Sequence, residues 1–272
     1  MISSKDNNKI KRIKKLLEKS KFRREEKAFV LEGFKPVEEA LRLGLAKEIY
    51  FSESVCEDTH FYYNKYRDLT GYISENNNGV TPGVEVVTTS LFQSISDVVT
   101  EQGILAVVGM PEYENEAFFE REDCKLLCLE EVRDPGNIGT MIRTAEAAGF
   151  DAILLSPGCA DVYQPKVVRS TAGAILRMPC LTCNNNDFIG QLTDLKQHGF
   201  TLYATLLQRS VDFKEPTYDG RLGVMIGNEA NGLSDEATSL ADIRVKIPMQ
   251  GNVESLNAAV SAALLMYEVN RH

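Results

Sequence analysis

Residues 126–155 read LLCLEEVRDPGNIGTMIRTAEAAGFDAILL, and the architecture of the C-terminal half follows from them. Leu126–Leu129 and Ala152–Leu155 are short apolar runs without polar alternation, the pattern of strands covered on both faces. Between them Ile138, Met141, Ile142, Ala145 and Ala148 recur at helical spacing, so Gly139–Ala148 reads as a helix. A helix joining two buried strands is a crossover between parallel neighbours.

The same alternation continues downstream. A short helix is expected at Pro165–Ser170, a strand near Pro179–Thr182, a helix near Phe188–Gln197, and strands at Thr201–Leu206 and Leu222–Ile226. Ser234 caps a helix with Asp235 and Glu236 in its first turn, matched to the positive end of the helix dipole. Arg244–Ile247 is the last strand and Glu254–Asn270 the last helix. The fold class is therefore α/β with a mostly parallel sheet, whose ligands bind at the carboxyl ends of the strands.

Upstream, a smaller α/β unit is expected. It has a helix at Lys9–Lys19, strands at Ala28–Glu32 and Glu48–Phe51, and a helix from Pro36 to about Leu43. A helix near Asp58–Leu69 and strands at Val84–Val87 and Ile104–Val108 complete it. Pro111 and the acidic run to Asp123 suit a linker. The expected domains are 1–110, a linker at 111–122, and 123–272.

At 272 residues, 43% hydrophobic and 25% charged, the chain has room for two cores and excludes a mainly disordered protein. Its longest uncharged run, Ser255–Tyr267, is too short to cross a bilayer. No leader-like apolar segment follows the basic N-terminus, so a cytoplasmic location is expected. Cys180-x-x-Cys183 and the pair Cys124 and Cys128 lie in apolar runs far from any histidine. They read as reduced, buried strand residues, and no metal site is expected. The net charge of −9 is uneven: residues 1–27 carry 11 Lys and Arg against 4 Asp and Glu. Lys9, Lys11, Arg12, Lys14, Lys15, Lys19, Lys21, Arg23 and Arg24 thus form a basic strip able to hold phosphates, with a solvated helix face as the plainer reading.

Three strand-to-loop junctions carry small and polar residues together. The first runs from Glu131 to Arg143, where Asn137 stands at an apparent N-cap position. The second, Gly227-Asn-Glu229-Ala-Asn-Gly232, brackets an acid with glycines, so that backbone can approach a ligand closely. The third, Val245-Lys246-Ile247-Pro-Met249-Gln-Gly-Asn-Val-Glu-Ser255-Leu256-Asn257, enters the Ala-rich last helix. Three such loops at one end of a sheet point to a composite pocket. The glycine-rich fingerprints of dinucleotide and P-loop sites are absent, and the three histidines lie outside the junctions, which disfavours histidine-based hydrolysis.

Asn137-x-Gly-x-x-x-Arg143-x-Ala-x-x-x-Gly149, Ile-Gly227-x-Glu229-x-x-Gly-Leu and Ile247-Pro-Met-x-Gly-x-x-x-Ser255-Leu-Asn257 resemble, in order and spacing, the three motifs of the SpoU/TrmH branch of SPOUT RNA methyltransferases. Ser170-Thr-Ala-Gly173-Ala-x-x-Arg177-x-Pro179 is similar to the segment between the first two motifs. Residues 1–110 resemble the ribosomal-protein-like α/β/α substrate-binding domain often found ahead of it. The resemblance implies 2′-O-methylation of an RNA ribose, S-adenosylmethionine as donor without a metal, a C-terminal trefoil knot, and a homodimer. It implies that Gly227, Ile247 and Leu256 contact the donor, with Thr205, Leu206, Met249 and Ser255 lining the same pocket. Arg143 would activate the ribose hydroxyl, and Asn137, Glu229 and Asn257 would organise the site. One departure is Ala258-Ala259-Val260-Ser261, where Val-Ser commonly follows the last motif; it bears on local donor-loop or dimer geometry. Ribosomal RNA is the expected substrate. Transfer RNA, a noncatalytic RNA-binding or ribosome-assembly role, and a small-molecule α/β enzyme are the alternatives.

Overall fold

In a computed structural model, which describes residues 1–57, 82–98, 101–113, 118, 120–183 and 187–271, the chain divides into two units. One comprises Met1–Pro111 and Tyr163–Leu176; the other comprises Glu112–Val162 and Arg177–His272.

The first unit opens with α1 (Asn8–Glu18) and α2 (Ser20–Glu26). The Asn7 side chain accepts from Lys9 N–H at 2.9 Å and starts α1. Ile10, Ile13 and Leu16 line one face of it and are fully buried, the i, i+3, i+6 stripe that drives an amphipathic helix onto a core. Then follow β1 (Ala28–Glu32), α3 (Phe34–Arg42), β2 (Ala46–Ser52), α4 (Glu53–Glu57), β3 (Gly83–Val87), α5 (Thr89–Gln93) and β4 (Ile104–Gly109). The sheet order is β1-β4-β2-β3, with β4 antiparallel to both neighbours and β2 parallel to β3. Every residue of β4 is buried, as its unbroken apolar run requires at a central position. The expected helix near Asp58–Leu69 lies outside the described residues.

Tyr163–Leu176 packs with this unit. The Tyr163 and Phe29 rings lie 4.9 Å apart, and α7 (Pro165–Ser170) buries Val167 and Val168. A segment that alternates with strands of the other sheet along the chain thus contributes its apolar side chains to the first core.

In the basic strip, several cations are already committed. Arg12 pairs with Glu26 at 2.9 Å and with Glu48, Lys9 with Glu85 at 2.6 Å, and Lys11 with Asp6 at 3.0 Å. Arg23 is buried and donates to the Leu16 and Leu17 carbonyls at 2.6 and 3.1 Å, satisfying the end of α1. Lys15, Lys19 and Arg24 stay exposed. The strip is therefore part scaffold and part cationic surface, narrower than the charge count suggests.

The second unit contains β5 (Cys124–Leu129), α6 (Pro135–Ala147), β6 (Ala152–Leu155), β7 (Cys180–Thr182), α8 (Phe188–Gln197), β8 (Thr201–Thr205), β9 (Val211–Asp212), β10 (Arg221–Ile226), α9 (Asp235–Leu240), β11 (Ile243–Lys246) and α10 (Ala258–Val269). Its sheet has the order β7-β6-β5-β10-β8-β11-β9 with parallel pairing throughout. Ser234 Oγ accepts from Ala237 N–H and caps α9 as expected. The last helix begins at Ala258, four residues later than expected, because Asn257 Oδ1 accepts from Ala259 and Val260 N–H and fixes the start there. The two-residue edge strand β9 has too little sequence to carry a periodic signal. Burial pushes the thiols of Cys124, Cys180 and Cys183 up to about 12, so they stay protonated. Among the described residues no helix is long and apolar enough to cross a membrane, and no group of three His, Cys, Asp or Glu is placed to hold a metal ion.

Candidate active site

The carboxyl ends of β8, β10 and β11 meet the start of α10 around a cavity of about 170 Å³. Parallel strands end at the same side of a sheet, which is why residues from 205 to 265 reach one place. Gly227, Ile247 and Leu256 line it, and so do Thr205, Leu206, Met249 and Ser255. Glu229 lies on the same wall, as do Asn228, Lys246, Ala258 and Ser261, to which the sequence reading assigned no site role. Ala258 and Ser261 belong to the stretch where the sequence departs from the common motif, so that departure falls on the cavity wall itself.

The loop after β10 is drawn tight by its own backbone. Asn228 and Gly232 exchange N–H to carbonyl hydrogen bonds at 3.0 and 2.9 Å, with Gly232 in the left-handed region at φ +71°. A Cβ on Gly227 would sit 2.1 Å from the Gly232 carbonyl carbon and 2.2 Å from Leu233 N, so only glycine fits. The loop is anchored to the strand beside it: Glu130 accepts from Ser234 N–H and Oγ–H at 2.8 and 2.7 Å, and Asn228 Nδ2 donates to the Glu131 carbonyl at 2.8 Å.

The first junction joins this wall through hydrogen bonds. Asp134 caps α6, accepting from Asn137 N–H at 2.9 Å, with Pro135 in the first helical position. Asn137 therefore lies inside the first turn and is not the cap, contrary to the sequence expectation. Asp134-Pro135 was the signal for this, since proline is favoured just after a capping acid. Freed from capping, the Asn137 side chain donates from Nδ2 to Glu229 Oε1 at 2.9 Å and accepts at Oδ1 from Asn257 Nδ2 at 2.9 Å. Glu229 also accepts from Arg133 and Asp134 N–H at 3.3 and 3.2 Å. Burial works against its charge, yet the hydrogen bond from Asn137 and the surrounding backbone N–H groups outweigh it and hold the carboxyl below its ordinary value. A chain of three side chains, Asn257 to Asn137 to Glu229, thus ties the cap of α10 to α6 and to the cavity wall.

Arg143 stands apart. It is exposed on α6, makes no hydrogen bond or ion pair with any described residue, and does not line the cavity. Of the four residues expected to act on the ribose, three are linked to one another, and one of these, Glu229, lines the cavity.

Chemically, the cavity offers apolar walls from Leu206, Ile247 and Leu256, backbone approach at Gly227, and polar side chains from Thr205, Asn228, Glu229, Lys246, Ser255 and Ser261, which suits a flat heterocycle with a polar tail. It holds no histidine and no second carboxylate on its wall.

Residues 125–267 match the SpoU rRNA Methylase family, and residues 7–106 match the MRM3-like substrate binding domain. The chain is 34% identical over 269 residues to the 23S rRNA (guanosine(2553)-2′-O)-methyltransferase RlmP of Bacillus subtilis, covering 98% of each protein. Among solved structures it is similar to an AdoMet-bound rRNA methyltransferase from Sinorhizobium meliloti (TM-score 0.85, 28% identity, 100% of this chain and 97% of that one). It is also similar to the SpoU methyltransferase AviRb from Streptomyces viridochromogenes (TM-score 0.81, 26% identity, 97% of each). The match across the three junctions and the whole C-terminal sheet places this chain in the SpoU rRNA methylase family.

Proposed function

We propose that the chain transfers a methyl group from S-adenosylmethionine to the 2′-hydroxyl of a ribose in ribosomal RNA, in the cytoplasm. One observation carries this reading: seven residues spread from Thr205 to Leu256 converge on one cavity, and its rim carboxylate is wired to Asn137 and Asn257. We assign Gly227, Ile247, Leu256, Thr205, Leu206, Met249 and Ser255 to the donor, and the chain's course through these loops to a C-terminal trefoil knot.

A sulfonium donor is already activated, so the residues need only align it with the hydroxyl; such alignment supplies on the order of 7–11 kcal/mol in favourable cases. Glu229 is engaged by Asn137 and by two backbone N–H groups, with its pKa lowered, so it is a positioning residue and a poor proton acceptor. Arg143 keeps its charge and is the electrostatic partner, stabilising negative charge developing on the ribose oxygen or gripping the adjacent phosphate.

The homodimer reading draws on α10. Ala259, Ala262, Leu265, Met266 and Val269 are buried, whereas Val260, Leu264 and Tyr267 are 48%, 41% and 58% exposed at helical spacing, an apolar stripe of the kind a second subunit covers. An exposed, uncommitted Arg143 fits a site completed across such an interface. The first unit, with Lys15, Lys19 and Arg24 on its surface, holds the RNA.

The direct test is ribose-methylation mapping of RNA from cells with and without the protein. Loss of one 2′-O-methyl mark in ribosomal RNA is expected; loss confined to transfer RNA would redirect the substrate, and no loss would refute the activity.

A further inference from the structure

The first unit encloses a cavity of its own, about 290 Å³, near the lower end of ligand-binding pockets at roughly 300 Å³. Leu31, Phe92, Ile104 and Val168 give it apolar walls, and Glu32, Gln102 and Arg169 give it a polar side, with the Glu101 carboxylate, which accepts from Gln93 Nε2 at 3.2 Å, also on its lining. Ala172 and Gly173 contribute backbone at φ +50° and +95°. A left-handed alanine costs of order 1 kcal/mol or more and persists where surrounding structure enforces it, commonly at ligand sites. These two residues belong to the Ser170–Pro179 motif, which the strand-end cavity leaves unused.

The polar side is only half satisfied. Glu32 Oε1 accepts from Asp97 N–H at 3.1 Å, whereas Oε2 is buried with no hydrogen-bond partner among the described residues. Burial pushes this carboxyl above its ordinary value, against the Asp97 N–H, nearby Ser96 and Arg169, which all favour its charge. Arg169 bonds Asp97 through Nη1, leaving further N–H donors of its fork uncommitted. Gln102 Oε1 accepts from Phe34 N–H at 3.1 Å, and its amide nitrogen has no acceptor among the described residues. An acceptor short of a donor therefore stands beside donors short of acceptors, between apolar walls. Guanine matches this: its N1–H and N2–H lie side by side on one edge, as a carboxylate requires, and O6 and N7 follow as acceptors. Uracil has a single N–H between two carbonyls, and adenine places no N–H beside its amine on that edge.

We propose that this cavity holds a guanine base of the RNA substrate, with Glu32 accepting from the N1–H and N2–H edge and Arg169 donating to O6. The inference rests on the RNA reading above but not on the geometry of the strand-end cavity.

The test is fluorescence-anisotropy binding of the full-length protein to heptauridylate and to the same oligomer with one central guanosine or inosine, at fixed salt. Guanosine binds at least about tenfold tighter than the all-uridine oligomer, and inosine, which lacks the 2-amino group, loses most of that gain. Glu32→Gln removes the guanosine preference while leaving all-uridine affinity and S-adenosylmethionine uptake unchanged. Equal binding of the three oligomers, or a guanosine preference that survives Glu32→Gln, overturns the base pocket while the RNA reading stands. No binding of any oligomer overturns both. The inosine comparison uses the unaltered protein, so it decides the matter even if the variant fails to fold.

Discussion

Two polar clusters of this protein spend their hydrogen-bonding capacity differently. Along α1 and α2, Lys9, Lys11, Arg12 and Arg23 are taken up by acids and backbone carbonyls within the first unit. At the strand-end cavity, Asn257, Asn137 and Glu229 satisfy one another, while the wall mixes apolar and polar side chains and Arg143 remains uncommitted among the described residues. The first arrangement holds a fold together; the second holds a cavity wall in a fixed shape. The lesson is that charge density along the chain measures less than whether a side chain's donors are already used.

The two largest expected effects, similar in size, are at Gly227 and Arg143. Gly227→Ala forces a methyl group into the Gly232–Leu233 backbone, and calorimetry should show S-adenosylmethionine affinity falling by about a hundredfold or more, as an overpacking cost near 3 kcal/mol dictates. Undiminished affinity would break the claim that this loop shapes the donor wall. Next, Arg143→Lys should lower turnover on ribosomal RNA by about 10²–10³, the range for losing one preorganised donor to a developing anion, with donor affinity and melting temperature unchanged. Near-full turnover would remove Arg143 from the reaction.

The adjacent pair Arg23 and Arg24 sharpens the comparison. Arg23→Ala leaves the Leu16 and Leu17 carbonyls without their donor and should cost about 1–3 kcal/mol in denaturant unfolding. Arg24→Ala, at an exposed position, should stay within about 0.5 kcal/mol. Conversely, Lys15→Glu, Lys19→Glu and Arg24→Glu together should reduce the salt dependence of RNA binding by up to about 3 in log–log slope, and Arg23 should contribute nothing to it.

The smallest effect is a pH signature. Glu229 is held below its ordinary value of 4.5 by its hydrogen bonds, so its stabilising contribution is present above that value and is lost as pH falls through the lowered folded-state pKa. Glu229→Gln should flatten the fall in melting temperature on that acid side. An unchanged acid profile would mean the network around Asn137 contributes no stability.

How much of this was legible in the sequence depended on distance along the chain. The βαβ alternation, the Ser234 cap and the apolar runs of β5, β6 and β10 are local signals, and the structure carries them. The sheet order is not local: β10 inserts between β5 and β8, and no periodicity encodes a neighbour 97 residues away, as Arg221 is from Cys124. Asn137 was misread as a cap because Asp134 has the same capping chemistry three residues earlier. The partners of Arg12 lie at Glu26 and Glu48, so the basic strip looked free when read alone. The residues of the strand-end cavity were reachable through motif resemblance; Lys246, Ala258 and Ser261 lay within stretches the sequence pointed to but were given no site role, because each is ordinary in its own local context. The cavity beside Glu32 had no local signal, since its walls come from segments more than 130 residues apart.

The central claim is that the strand-end cavity presents a methyl donor to a ribose oxygen of ribosomal RNA. Incubating the purified protein and its Gly227→Ala variant with methyl-labelled S-adenosylmethionine and unmodified ribosomal RNA, followed by nucleotide-resolution mapping, tests it most directly. The account expects label at one 2′-oxygen with the native chain and none with the variant; label on a base, or donor binding without any ribose methylation, would contradict it.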